Sequence, residues 1–223
     1  MRLQEVAILI QFQEHPACKA FNFAVLLLIM GKSGIAFGLF TVAVVLVAGW
    51  YLASVAIVRD AVMVDYSVVG TIGQEVEVRQ YSNLTLASMS SDSLDSAFTA
   101  LSRYIIGNNR DNARMDMVLP LISRSEGERV NMSFILPEGY RVDNAPQPLN
   151  SDIAISEIPS RKVAVLGFSG YAGDSAYEEH RGRLESSLRE HRVQTQSDYF
   201  LFSYAPPRSP PVLMKNEVAV EVA

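Results

Sequence analysis

The stretch EVEVRQYSNLTLASMSSDSLDSAFTALSRYIIG, residues 75–107, changes its hydrophobic period midway, and that change decides the fold. Its first seven residues alternate, with Val76 and Val78 on one face. Ser82-Asn83 turns the chain and residues 84–90 alternate again, which predicts a β-hairpin. Leu94, Phe98, Leu101 and Ile105 then recur at i, i+4, i+7 and i+11. Capping candidates Ser91, Asp92 and Ser93 precede them and Gly107 follows, so an amphipathic helix with both end signals is expected.

The same reading extends downstream. After the polar loop NNRDNAR (108–114), strands are predicted at 115–122 and 130–136, joined by SEGE (125–128). Read as a strand, RMDMVLP (114–120) puts Met115, Met117 and Leu119 on one face, with Asp116 and Val118 on the other. The order then recurs: strands at 152–158 and 162–169 around Pro159-Ser160, a helix over 175–190, and strands at 199–204 and 217–222. The second helix carries Tyr177, His180 or Arg181, Leu184 and Leu188 on one stripe. ββαββ thus occurs twice, with halves at about 75–136 and 152–222 joined by PEGYRVDNAPQPLN (137–150). An α+β domain follows, in which two half-covered sheets close on each other and remove their free edges.

Upstream, residues 34–58 read GIAFGLFTVAVVLVAGWYLASVAIV, without a charge. As a helix they reach roughly 37 Å, more than the ~30 Å hydrocarbon core of a bilayer. Trp50 and Tyr51 sit where an interface favours aromatic rings. A transmembrane signal-anchor is therefore expected at 34–58. Lys32 before it and the neutral Arg59-Asp60 after it orient the soluble domain (65–223) outside the cytoplasm, in the periplasm if the source is bacterial. Ser54-Val55-Ala56 offers small residues for a signal peptidase, but the long apolar run favours an uncleaved anchor. Residues 1–33 read as an extension ahead of it. AFNFAVLLLIM (20–30) is too short to span, and Met30-Gly31-Lys32 makes the expected translation start.

Bulk composition agrees. Hydrophobic residues make up 49% and mean hydropathy is +0.15, high for a purely soluble chain. Of 19 Lys/Arg and 24 Asp/Glu, four and two lie in residues 1–59, leaving 15 against 22 and a net charge of −7 beyond. With no basic cluster, nucleic acid is excluded as an expected partner. The one cysteine, Cys18, forms no internal disulfide and fits no metal spacing.

Five segments in order resemble the SOUL haem-binding protein family: residues 75–88, 102–122, 132–150, 160–172 and 204–222. The resemblance spans about 65–222. It implies a distorted eight-stranded antiparallel barrel flanked by two helices and built from two ββαββ-like halves. It also implies that a haem or related tetrapyrrole lies on an apolar surface beside the first helix, its propionates met by basic residues. Two departures stand in signature segments. Asp116 and Val118 replace a small residue and a threonine, and Arg208 in PPRSPP stands where many members carry tryptophan.

By this resemblance the cofactor-binding candidates are Leu94, Phe98, Leu101, Arg103, Met115, Met117 and Lys215. A porphyrin wants apolar cover for its π surface and cations for two carboxylates. Arg103 equally fits a solvated helix-end cation favoured by the macrodipole, and Lys215 a surface lysine ahead of a strand. Met115 and Met117 suit core packing more than metal ligation. His180 and His191, eleven residues apart on one helix and so about 16 Å distant, cannot share a metal. Either suits haem iron, or a structural or solvated role.

Catalytic motifs are missing: GFSG (167–170) lacks nucleophile-elbow spacing and YEEH (177–180) is not a zinc motif. The expected function is a membrane-anchored tetrapyrrole carrier, buffer or sensor rather than an enzyme. The duplicated arrangement also resembles effector-binding domains of bacterial regulators, which take other small apolar ligands. Modification of a tetrapyrrole is the third possibility.

Overall fold

The computed structural model describes residues 32–207 and 209–223. Arg208, Cys18, the proposed start at Met30 and the extension before it lie outside the described residues. The chain divides into two compact units, Met1–Leu52 and Ala53–Ala223. Helix α1 (Lys32–Asp60) is apolar all round. Its stretch Ala36–Val55 is long and apolar enough to cross a membrane, and within it only Ser54 is buried.

The second unit holds ten strands in one sheet: β1 (Val62–Met63), β2 (Tyr66–Ile72), β3 (Val76–Tyr81), β4 (Leu84–Ser91), β5 (Val118–Glu126), β6 (Arg129–Ile135), β7 (Ala154–Ile158), β8 (Arg161–Ser169), β9 (Phe200–Ser203) and β10 (Lys215–Val222). Helices α2 (Leu94–Ile105) and α3 (Asp174–Glu190) follow β4 and β8. The sheet runs β2-β3-β8-β10-β9-β5-β6-β4-β7. Every ladder on that path is antiparallel, while β1 lies parallel to β5. The α+β class holds.

The expected closed barrel does not. The sheet ends at β2 and β7, and it has ten strands rather than eight. The reason lies in two turns. Residues 82–83 and 159–160 each carry the chain from one side of the sheet to the other, so their strands diverge instead of pairing. The strands before and after each turn pair instead across the other turn, β3 with β8 and β4 with β7. The turns themselves meet: the Ser160 hydroxyl donates to the Tyr81 carbonyl (2.9 Å), the Ser160 amide to Asn83 Oδ1 (2.8 Å), and Asn83 Nδ2 to Glu157 (3.1 Å).

Three cores result. The amphipathic face of α2 packs Ala97, Leu101, Tyr104 and Ile105 onto Ala87 of β4, Leu119 and Leu121 of β5, and Met132 and Phe134 of β6. Leu184 and Leu188 of α3 pack onto Val76, Ala164, Leu166, Val218 and Val220. Between the two sides, Tyr81, Val163, Val165, Phe200, Phe202 and Ala219 meet Val64, Leu84 and Ile122, which also touch Leu86, Val118 and Ile135. Helices therefore cover the outside of each half-sheet, and the inner faces are buried against each other.

Helix α2 begins where the capping signal placed it. Ser93 is extended, and its hydroxyl accepts from the Ser96 amide (3.2 Å). Gly107 at φ +114° ends the run, a conformation that only glycine adopts without strain. Strand β5, however, starts at Val118 and not at residue 115. The Met115 amide donates to the Ile105 carbonyl (2.8 Å), while the Met117 and Leu119 carbonyls accept from Val62 and Val64 (2.9 and 2.8 Å). The N-terminal segment thus competes for the backbone groups that an earlier strand start would need. Strands β1 and β2 were not expected at all.

Candidate functional site

The sequence candidates fall into three places. Phe98, Leu101, Met115 and Met117 come together beneath α2. Leu101 is 0% exposed, Phe98 stacks obliquely on Phe134 at 5.6 Å, and both thioethers pack in the same core. A ligand reaches Leu101 only if that core opens. Leu94, the first residue of α2, is 38% exposed. Arg103 is exposed in the last turn of α2. Lys215 is exposed at the start of β10, paired with Ser169 of β8, on the half-sheet that α3 covers. Arg103 and Lys215 thus belong to elements of different half-sheets.

What does cluster at the end of α2 is a surface patch. Ile106 is 59% exposed and caps the helix, and Leu149 is 60% exposed. Asn109 bridges Pro148, and the Arg110 amide donates to the Gln147 carbonyl (2.9 Å), so the 137–150 segment is held beside the loop after α2. The Tyr104 hydroxyl pins that segment from below by donating to the Pro146 carbonyl (2.8 Å). Buried Asn109 ties the loop to itself, donating to Tyr104 and Ala113 carbonyls and accepting the Ala113 amide. Arg103 in the last turn of α2, and Arg110 and Arg114 in the loop after it, are exposed, and Arg114 Nε reaches back to the Ile106 carbonyl (3.3 Å). Asp111 and Asp116 share the loop, leaving three cations to two anions.

Neither described histidine is there. Both lie at α3, where each ring Nδ1 meets the carbonyl four residues earlier: His180 with Ala176 (2.8 Å) and His191 with Ser187 (2.9 Å). A carbonyl only accepts, so in each pair Nδ1 is the donor. The His180 ring also stacks on Phe168 at 4.3 Å. Among the described residues, no three His, Cys, Asp or Glu side chains converge as a metal site.

Two clefts escaped the sequence reading. One, of about 470 Å³, runs between residues 62–65, the 82–85 turn and residues 135–141. Its charged residues are Asp65, Glu138, Glu157 and Arg141, so acids outnumber bases. The other, of about 250 Å³, opens between the inner faces of the two half-sheets and is lined in part by Arg124, Arg161 and Glu221.

Charge inside the sheet was also unforeseen. Arg79 forms a two-pronged pair with Glu217 (2.7 and 2.8 Å), bonds Glu77 and the Tyr204 hydroxyl, and stacks its guanidinium on Tyr66. Burial opposes the Arg79 charge, but the Glu217 and Glu77 carboxylates outweigh it and the net shift is upward. Burial, then Glu217, holds the Tyr204 phenol well above its ordinary range.

A family model described as SOUL heme-binding protein matches residues 62–221, from β1 to β10. The chain is 28% identical over 145 residues to Heme-binding protein 2 of Homo sapiens, covering 59% of this chain and 70% of that protein. It is 30% identical over 125 residues to Heme-binding protein 1 of Xenopus laevis, covering 53% and 65% respectively. Among solved structures, a cryo-EM structure of an EcmrR–DNA complex matches with TM-score 0.51 at 9% identity, covering all of this chain and 77% of that one. At that identity the likeness concerns the fold alone.

Proposed function

Because the chain belongs to the SOUL heme-binding protein family, with haem a possible ligand, we propose that it binds haem or a related tetrapyrrole on the surface at the C-terminal end of α2. It would act there as a carrier, buffer or sensor without transforming the ligand. One observation carries the choice of surface: the loop after exposed Ile106 is tied at Asn109 and Arg110 to residues 147–148, next to exposed Leu149, and Arg103, Arg110 and Arg114 are exposed at that end of α2 and in that loop. A porphyrin needs apolar cover and two carboxylate partners, and this patch offers both. The 470 Å³ cleft is large enough for a small-molecule site, but its three carboxylates against one arginine repel a dianion. The inner cleft, at 250 Å³, falls below the roughly 300 Å³ floor of sites for drug-sized ligands and is too small for a porphyrin. Leu101, Phe98, Met115 and Met117 support the patch from beneath, and Lys215 has no part in it.

The histidines at α3 give a haem on α2 no axial partner, so binding rests on the macrocycle and its carboxylates. Helix α1 supports a single-pass anchor, and Lys32 before it against the neutral Arg59-Asp60 after it favours the domain outside the cytoplasm. Relabelling each strand of one half as its counterpart in the other reverses the sheet order onto itself, which supports descent from a duplicated half.

The test is a haemin titration of the full chain in detergent, followed by its Soret band. Charge reversal at Arg103, Arg110 and Arg114 removes pairs worth about 0.2–1 kcal/mol each and adds repulsion, so affinity should fall about tenfold with the thermal midpoint unchanged. Equal affinity in the triple variant would place the ligand elsewhere. The acidic cleft favours a second reading, an effector module for an uncharged or cationic apolar molecule. Native mass spectrometry from the source cells separates the two by ligand mass.

A further inference from the structure

The cleft between the inner faces of the half-sheets has a chemistry that haem binding leaves unused. Arg124 enters from β5 and Arg161 from β8, and both guanidinium groups approach one ring, Phe200, at 5.6 and 5.8 Å from its centroid. Two cations over one buried ring repel each other, and one anion is present to offset them. Glu221 takes Arg161 Nη1 at 2.7 Å, with both side chains largely shielded from water. Among the described residues, Arg124 makes no ion pair, and the Nε atoms of both arginines are buried without a hydrogen-bond partner. An unsatisfied buried donor on a charged group is costly, and here two of them border one cavity of about 250 Å³. Ile122 and Ile158 give that cavity an apolar side. Burial, with the second arginine adding to it, lowers the basicity of Arg161, and Glu221 compensates only in part.

We propose that this cavity is a binding site for a small monocarboxylate with a short apolar tail, its carboxylate held by Arg124 and Arg161 and its tail lying against Ile122, Ile158 and Phe200. Charge sets the valence: two arginines less Glu221 leave one positive charge, which a monoanion neutralises. Volume sets the size, and it separates this site from the tetrapyrrole, which cannot enter. A planar carboxylate can accept from two guanidinium groups at once. The apolar wall then rewards a hydrocarbon tail, about 25 cal/mol for each Å² of apolar surface removed from water. Inorganic anions collect only the first of these gains.

The experiment is calorimetric titration of the full chain in detergent with butyrate, hexanoate, hexanol, hexylammonium and inorganic phosphate, repeated on Arg124→Gln. Hexanoate is expected to bind saturably and more tightly than butyrate, with neither hexanol, hexylammonium nor phosphate matching it. Loss of a charged hydrogen-bond donor should weaken hexanoate about tenfold to a hundredfold in Arg124→Gln. That variant should keep or raise the thermal midpoint, since it removes a half-buried cation without an anionic partner among the described residues, and its haemin titration should match the parent. Arg124→Lys should recover part of the hexanoate affinity. The proposal fails if hexanoate gives no saturable heat, if hexanol or hexylammonium binds as well, if phosphate alone binds, or if Arg124→Gln binds hexanoate like the parent.

Discussion

Glu217→Ala should be among the most damaging single changes in the sheet. Arg79 and Glu217 face the interior with side chains 7% and 14% exposed, and their two bonds measure 2.7 and 2.8 Å. Truncating Glu217 strands the Arg79 charge with Glu77, whose side chain is 45% exposed and half in water. It also takes away the acceptor of the Tyr204 hydroxyl (2.7 Å). Breaking a buried pair from one side costs about 3–5 kcal/mol. For a domain of this size each kcal/mol moves the thermal midpoint by about 2–4 °C, so a fall of about 6–20 °C is expected. Urea titration should show the midpoint concentration drop without a change in slope. Replacing both partners, Arg79→Met with Glu217→Leu, should cost much less than Glu217→Ala alone, because no charge is then left buried. The reasoning is refuted if Glu217→Ala costs under about 1 kcal/mol, the value of an exposed pair, or if the double replacement is the worse of the two.

Two buried phenols should respond oppositely to loss of their hydroxyls. Tyr104→Phe orphans the Pro146 carbonyl and should cost about 1–2 kcal/mol in urea titration. Tyr81→Phe deletes a buried hydroxyl that makes no well-formed hydrogen bond and neighbours only an Arg79 already held by Glu217 and Glu77, and should be neutral or stabilising. Burial pushes both phenols up to about 12. A raised folded value favours the protonated form, so this stability is complete below about pH 10 and drains away as pH rises towards 12. Alkaline unfolding followed by tyrosinate absorbance should show that window, and it should move in Tyr104→Phe. His180→Ala and His191→Ala should leave the haemin titration unchanged, and metal-free protoporphyrin should bind within a few fold of haemin. A histidine variant that abolishes the Soret shift would assign an axial ligand and overturn the α2 surface reading.

The elements legible in the sequence were those whose two faces differ. In α2, Leu94, Leu101 and Ile105 alternate with polar residues at helical spacing, and Ser93 and Gly107 mark its ends. Strands β3 and β4 were legible because Val76 and Val78 alternate with polar residues ahead of Ser82-Asn83, but the hairpin expected between them does not form: β3 pairs β2 and β8, and β4 pairs β6 and β7. Strand β2 was missed for the converse reason. In YSVVGTI, Val68 and Val69 are adjacent and Gly70 follows, where the pairing with β3 shifts register, so no alternation survives. The start of β5 was misplaced because nothing local tells residues 115–117 that the 62–64 segment will bond to them.

The charged interior was illegible for a deeper reason, which begins with the same alternation. In VEVRQY the valines read as core and Glu77 and Arg79 as solvent-facing. That inference assumes a sheet with one wet face. Here α3 covers the valine face, and the opposite half-sheet covers the other, so Arg79 and Tyr81 are buried as thoroughly as Val76. KNEVAVEV in β10 behaves likewise: Val218 and Val220 meet α3, while Glu217 and Glu221 point inward to Arg79 and Arg161. A charge facing such an interior persists only if a partner from another strand meets it. Arg79 and Arg161 each have one. Arg124 meets no carboxylate among the described residues, and that asymmetry singles its cavity out. Where every neighbour has been neutralised within the fold, the exception is most economically read as a cation kept for something that arrives from outside.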